Sequence, residues 1–524
     1  MSRATETALV RDGRSGYEGA AIAAVGLSGL TFAVALVALL DVLEITVTVP
    51  VAGVALSTAL GAALLVLGLG VVGFGLTSRL GSVDTGPQPS AGLVAAVAFT
   101  GVWFAVGSLV AGAAGLGTVG STTVGGVVGA VAFAATAFPR EDVGSTLPAG
   151  GLAVLGGLAL VTGVVGPGWE WELVDYNATL FGDTAVPFLA MFVSLLTGWA
   201  AAKAYGGFGA RGRNVGAYVL IYLIVLSILA VLVGLLAFVA VKGLPGLFNG
   251  FSVGGGTLIR WPFLTNGASL FADVAGVFPA LVGTIWLVVG AVLFAVPTGV
   301  GAAVFLSEYA EQGRFTGVVE IATNGLWSTP SIVFGLFGAA FLIPRFGNQK
   351  SLLAGMLTLG FMLLPLVLIT SREAILAVPD EYRDASAALG VSKWQTIRSV
   401  VLPAAIPGIT TGVILGVGRI AGETAPILLT MGGGVLPGKE AAPNVIGGFQ
   451  LHASPPFVTN PALLESTSAL PYQLYALITA GLSGNIESPE QFAWGLALTL
   501  LLVVLAFYAI GIATRYYFRT KLHQ

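Results

Sequence analysis

The stretch "VPDEYRDASAALGVSKWQTIRSVVLPAAIPG", residues 378–408, is an island of polar pattern between two apolar runs. Pro379 and Asp380 can start a short helix, and Gly390 can end it in the left-handed conformation that only glycine adopts cheaply. Ser392 and Gln395 then form an S-x-x-Q capping box for a second short helix, after which Leu402 and Pro403 hand the chain to the next apolar run. The reading is helix, turn, helix on a membrane surface. Tyr382, Ala385, Ala388 and Leu389 fall on one side of the first helix. That small-residue face suits the groove of another protein or a rest on lipid headgroups, and the residues alone leave both open.

Working outward, the flanks of this loop are typical of the chain. Its 524 residues are 56% hydrophobic and 9% charged, with a mean hydropathy of +0.94, which leaves too little polar surface to cover a water-soluble globule. A roughly 30 Å hydrocarbon core takes about 20 apolar residues to cross. Such runs occur near 20–40, 51–77, 91–114, 120–138, 149–167, 186–202, 214–241, 278–304, 321–343, 352–370, 404–430 and 492–514. The expected fold is therefore an all-α polytopic membrane protein of about twelve transmembrane helices. The first run follows "RDGRSGYEGA" without a clear small-residue cleavage site and is expected to be a retained helix. Lysine and arginine collect in cytoplasmic loops, which predicts both termini inside. Most of the 22 basic residues then fall on the cytoplasmic side, Arg140, Lys203, Arg213, Arg372 and Arg383 among them.

The chain contains no cysteine and two histidines, His452 and His523, so disulfides, thiolate chemistry and a histidine-rich metal centre are excluded. No G-x-x-x-x-G-K-[ST] loop is present to cradle nucleotide phosphates, and neither H-E-x-x-H nor G-x-S-x-G occurs. An enzyme lacks its chemistry here. No cofactor and no nucleic-acid partner is implied; lipid is. "NAT" at Asn177 is a glycosylation sequon on an expected outer loop.

A basic, glycine-rich connection at residues 203–216, "KAYGGFGARGRNVG", divides the chain into an extension of about six helices (1–205) and a second module (206–524). The extension carries essentially no ionisable group at expected membrane depth and reads as a packing module in which small residues let helices approach closely. In the second module, "GVGRIAGETAPILLT" at residues 416–430 places Arg419 and Glu423 four residues apart, expected on one helix face where they can pair. Charge at membrane depth normally faces a partner or a wet cavity. A guanidinium offers planar, bidentate donors to a tetrahedral oxyanion, and the glutamate can hold it when the path is empty and discriminate among anions. An interhelical clamp that touches no substrate fits the same residues. The spacings Gly412/Gly416 and Gly418/Gly422 are expected to let this helix pack closely at a subunit interface. In "NGLWSTPSIVFG", residues 324–335, the hydroxyls around Pro330 are expected to serve backbone groups freed by the ring.

The words Asp384-Ala385-Ser386, Gly390 and Leu402-Pro403 resemble the E-A-A-x-x-x-G loop of ABC importer permeases, with Asp for the leading Glu and Ser for the second Ala. "FPALVGTIWLVVGAVLFAVPTGVGAAVFLSEYA" (278–310), "TPSIVFGLFG" (329–338) and "GETAPILLT" (422–430) are similar to the PstA-type phosphate permeases, over roughly residues 214–520. The resemblance implies a type I (MetI-like) importer fold for the C-terminal six helices, with residues 371–403 as the coupling loop. The substrate-pathway reading of Arg419 and Glu423 rests on their charge at membrane depth; as partners the resemblance implies a PstC-like second permease subunit, a P-loop ATPase dimer and an extracellular phosphate-binding protein. A molybdate or sulfate permease is the neighbouring alternative. An ion-coupled secondary transporter is a further one, against which stands the lack of any repeat between the two halves.

Overall fold

The computed structural model describes residues 16–40, 46–51, 53–173, 178–254, 259–268, 274–311, 313–434, 437–455, 457–480 and 488–522. Asn177 and His523 lie outside them. The apolar runs become long helices because a backbone in hydrocarbon has only its own chain to hydrogen-bond with. Two compact units form, Met1–Phe238 and Val239–Gln524.

The first unit is built from α1 (Gly16–Leu40), α2 (Leu56–Arg79), α3 (Leu93–Ala113), α4 (Thr118–Ala137), α5 (Glu141–Val161), α6 (Gly182–Tyr205) and the start of α7 (Gly209–Leu247). The pairs α2–α5, α3–α4 and α1–α6 pack together. Glycines drive the first of these. Gly61, Gly68 and Gly75 repeat every seven residues along α2, and a Cβ on Gly61 would lie 2.7 Å from Leu160 Cβ, one on Gly68 2.8 Å from Gly150 O. Gly150 and Gly157 return the contact from α5, each with a neighbouring carbonyl within 2.8 Å of where a Cβ would stand. The heptad spacing keeps these small residues on one seam, and van der Waals contact replaces the hydrophobic drive that lipid removes. The packing module expected from the glycine content takes this form. A hairpin, Glu170–Leu173 against Ala178–Phe181, joins α5 to α6.

In the second unit α8 (Pro262–Thr265) precedes α9 (Phe278–Val304), which ends in a π-turn at Phe305–Tyr309. Then come α10 (Arg314–Ser328), α11 (Ser331–Phe337), α12 (Leu352–Leu376), α13 (Asp380–Ala388), α14 (Lys393–Thr396), α15 (Leu402–Ala421), α16 (Ala425–Thr430), α17 (Pro461–Leu464), α18 (Leu470–Ala480) and α19 (Pro489–Leu522). The core gathers on α12, with Leu359, Leu363 and Val367 buried against Leu287, Ala291 and Ala295 of α9 and Ile420 and Ala421 of α15. Gly412 and Gly416 of α15 meet Thr370 and Leu363 of α12, and Gly418 meets Tyr508 of α19. Gly412, Gly416 and Gly418, expected at a subunit interface, are therefore spent on packing within the chain, whereas Gly422 meets only the Arg419 carbonyl of its own helix.

Among the described residues eleven helices are long and apolar enough to cross a membrane, and a twelfth span results if α10 with the segment 331–345 counts as one. That pair is bent by 103°. The straight span expected at 321–343 is thus broken, because Pro330 forces Thr329 to an extended ψ of 133° and the helix stops before the proline. The run expected at 404–430 is likewise interrupted, between α15 and α16.

Candidate functional site

The loop after α12 takes its shape from the local signals that its sequence carries. Pro379 caps α13, Gly390 adopts φ +73°, and Ser392 and Gln395 close the capping box of α14, with Ser392 N donating to Gln395 Oε1 at 3.1 Å. Leu402 and Pro403 form the first turn of α15. Ser386 is buried, whereas Tyr382, Asp384, Ala385, Ala388 and Leu389 are exposed, so α13 turns the expected face outward. What seats the helix is Arg383. Its guanidinium reaches Glu308 Oε1 at 2.7 Å, donates to the carbonyls of Val378 (2.8 Å) and Ile375 (3.1 Å), and meets Asp380 at 3.1 Å. Glu308 lies in the π-turn that ends α9 and is nearly buried. One arginine thereby ties the loop to a transmembrane helix through charge-assisted hydrogen bonds. Sequence reasoning missed this pair, and the extra residue of the π-turn that aims Glu308 at the loop has no signature in the local pattern.

Arg419 and Glu423 meet, but not on one helix face. α15 ends at Ala421, Gly422 caps it, and Glu423 lies in the break before α16. Arg419 Nε stands 3.8 Å from Glu423 Oε1, with 36% and 18% of the side chains exposed. That distance exceeds a charge-assisted hydrogen bond. Its guanidinium carbon lies over the Trp327 ring of α10, 4.4 Å from the centroid. A cation held by a ring at this distance keeps its N–H donors for a second group. Trp327 itself packs on the core cluster of α9, α12 and α15, so the cation rests on a fixed platform. Around the α10–α11 break, Ser328 and Thr329 donate to the Gly325 carbonyl at 2.9 and 2.8 Å, which is the backbone service expected of them.

The first unit holds a charge cluster that the sequence reading passed over. Lys203 at the end of α6 and Glu141 at the start of α5 are 1% and 0% exposed and pair at 2.8 Å. Glu141 Oε2 also accepts from the backbone N–H of Gln88 (3.1 Å) and Gly209 (3.0 Å), with Arg213 at 3.4 Å. Lys203 Nζ donates to Ser145 Oγ at 2.7 Å and stacks over Trp199. Beside them Asp142, fully buried, accepts from Ser78 Oγ at 2.9 Å and pairs with Arg140. Every arm of this cluster ends on a partner within the same unit.

The stretch 295–522 matches the family of binding-protein-dependent transport system inner membrane components. A probable ABC transporter permease, YqgI, of Bacillus subtilis (strain 168) is 36% identical over 189 residues, covering 36% of this chain and 64% of that protein, less than two thirds of its length. The phosphate transport system permease protein PstA of Mycobacterium leprae (strain TN) is 34% identical over 260 residues, 49% of this chain and 76% of that protein. The chain belongs to the PstA-type permeases. A solved structure of the MetNI methionine ABC transporter in inward-facing conformations aligns at 17% identity and TM-score 0.33, over 46% of this chain and 94% of that one. With its family and its apolar helices, this PstA-type chain is a multi-pass inner-membrane protein. The family match contains the loop, Arg383 and Arg419; Glu141 and Lys203 precede it.

Proposed function

We propose that this PstA-type chain is the membrane subunit of an ATP-driven phosphate importer, with residues 206–524 forming half of the translocation pathway. The observation that carries the reading is the guanidinium of Arg419, stacked on Trp327, loosely paired to Glu423 and open along its donor edge. A tetrahedral oxyanion takes two donors from a guanidinium at once. Glu423 then serves as acceptor for the proton that phosphate retains near neutral pH and that sulfate lacks. The seated α13 with its exposed small-residue face is the part that docks on an ATPase, held to the membrane domain by Arg383. The partners that complete the machine are a PstC-like second permease subunit, two copies of a P-loop ATPase and an extracellular phosphate-binding protein that delivers the ion to outer loops within 243–276 and 431–490. The phosphate-permease names of the relatives support the choice of ion. The test is uptake in proteoliposomes by the assembled complex, with phosphate, sulfate and molybdate offered separately. ATP-dependent uptake of phosphate in preference to the others is expected, and preference for molybdate or sulfate would reassign the substrate while leaving the coupling reading intact.

A further inference from the structure

A second guanidinium lies in a cleft between α10, α12 and the turn after α9, lined by Glu320, Asn324, Arg372 and Glu373 among others. Arg372 Nη1 stands 3.7 Å from Glu320 Oε1, with 22% and 56% of the side chains exposed. As at Arg419, the pair is too long for a charge-assisted hydrogen bond and leaves the cation available. The two arginines share one helix as a wall. Glu320, Asn324 and Trp327 follow one another at i, i+4 and i+7 on α10, so they form a single stripe; its one end touches Arg419 through Trp327 and its other end touches Arg372 through Glu320. Seven residues of helix separate these ends by about 10 Å. Between them the Thr323 hydroxyl donates to its own helix at the Val319 carbonyl, which leaves the Asn324 amide as the donor along the stripe.

We infer that Arg372 is a second, release-side contact for the transported oxyanion, reached from Arg419 along this face of α10. The inference rests on the phosphate-transport reading above. The charge balance of the cleft fits release rather than storage. One guanidinium attracts the anion, while Glu320 competes for the same cation and the Glu373 carboxylate in the lining adds repulsion that opposes the anion's retention. Arg372 also lies in the last turns of α12, just ahead of the loop that carries α13.

Because the chain has no cysteine, Ile369→Cys, from the α12 wall of the cleft, places a single thiol of this subunit there without removing a donor. The assembled complex in inside-out vesicles is treated with an anionic methanethiosulfonate, and modification of this subunit is followed with and without inorganic phosphate. Phosphate is expected to slow modification roughly threefold at twice its dissociation constant, chloride is not, and adding Arg372→Gln is expected to abolish the protection. Leu368→Cys, from the same wall, gives the same readout if Ile369→Cys fails to assemble. A complex that imports phosphate but whose thiol reacts equally fast with and without it overturns the release site alone. Protection that survives Arg372→Gln reduces Arg372 to a brace between α10 and α12, and also overturns it. A wild-type complex that imports no phosphate overturns the transport reading beneath it.

Discussion

The Lys203–Glu141 pair of the first unit and the Arg419–Glu423 pair of the second differ in every quantity that decides what a buried charge can do. Lys203–Glu141 is short at 2.8 Å and 0–1% exposed, with Gln88, Gly209, Arg213 and Ser145 absorbing much of the remaining hydrogen-bonding capacity. Arg419–Glu423 is long at 3.8 Å and partly exposed, with a tryptophan face for support and an unspent donor edge. A pair enclosed by partners has nothing left to offer a ligand and fixes geometry; a pair held loosely beside a helix break can exchange its partner. The difference teaches that charge in a membrane protein is not by itself a substrate site. What matters is whether its valence is already used.

The comparison breaks most visibly at the tight pair. Removing one member of an enclosed ion pair leaves an uncompensated charge at about 3 to 5 kcal/mol. Glu141→Leu is thus expected to lower the melting temperature and the yield of assembled complex severely, since it strands Lys203 and frees the N–H groups of Gln88 and Gly209. Glu141→Gln with Lys203→Met should recover much of the loss, because the neutral pair no longer buries an unpaired charge. Anion preference in whatever assembles should not move. A shift in preference at Glu141 would mean that the first unit belongs to the pathway.

The next effect in size falls on the loose pair. Arg419→Lys keeps the charge but loses the planar fork. Uptake per assembled complex is expected to fall about tenfold, which corresponds to roughly 1.4 kcal/mol of lost transition-state stabilisation, with the melting temperature nearly unchanged. If stability collapses and uptake per complex holds, Arg419 is the same kind of clamp as Lys203.

A smaller effect tests the loop that belongs to neither pair. Gly390 holds φ +73° with open space where a Cβ would stand, so the whole penalty of Gly390→Val is backbone strain, on the order of 1 to 2 kcal/mol. The strain should loosen α13 against Arg383 and Glu308, and ATP hydrolysis should run with reduced anion uptake. Ala387→Cys, on the exposed side of α13, should cross-link to the ATPase; normal coupling in the valine variant together with no cross-link would leave α13 as a helix resting on lipid.

These parts were not equally legible. The loop could be read from sequence because each signal acts over four residues or fewer: Pro379 and Gly390 bound α13, and Ser392 with Gln395 closes a local box. The apolar runs were legible for the same reason, since length and composition alone meet the demand of the bilayer. Glu423 was misplaced because apolar residues continue through Gly422 and Thr424, and only the cap geometry ends α15. Lys203 was read only as a basic residue on the cytoplasmic side and Glu141 was not singled out, because the positive-inside pattern is silent about burial. Their pairing depends on α5 beginning at Glu141 and on the α5–α6 packing, both tertiary facts. Arg383–Glu308 was hidden likewise, behind a π-turn that the sequence does not announce.

The finest distinction rests on Glu423→Gln, where the smallest change in rate is expected and the most specific change in selectivity. Glutamine keeps the size of the side chain and one acceptor, and it removes the negative charge in front of Arg419. Phosphate retains a proton near neutral pH and can donate it to a carboxylate, whereas sulfate has none to give and meets only repulsion. With the carboxylate gone the repulsion of sulfate disappears, and the amide N–H₂ becomes a donor to either anion. Phosphate uptake per complex should therefore change little, while its preference over sulfate narrows by up to about tenfold, near 1.4 kcal/mol. The dependence on pH should flatten as well, because an uncharged glutamine does not repel the dianion of phosphate more than its monoanion. The measurement is phosphate uptake against pH with sulfate as competitor, normalised to assembled complex. An unchanged ratio with an unchanged pH profile would leave Glu423 as no more than a counter-charge for Arg419, and the contrast between the two pairs would then be one of tightness without selectivity.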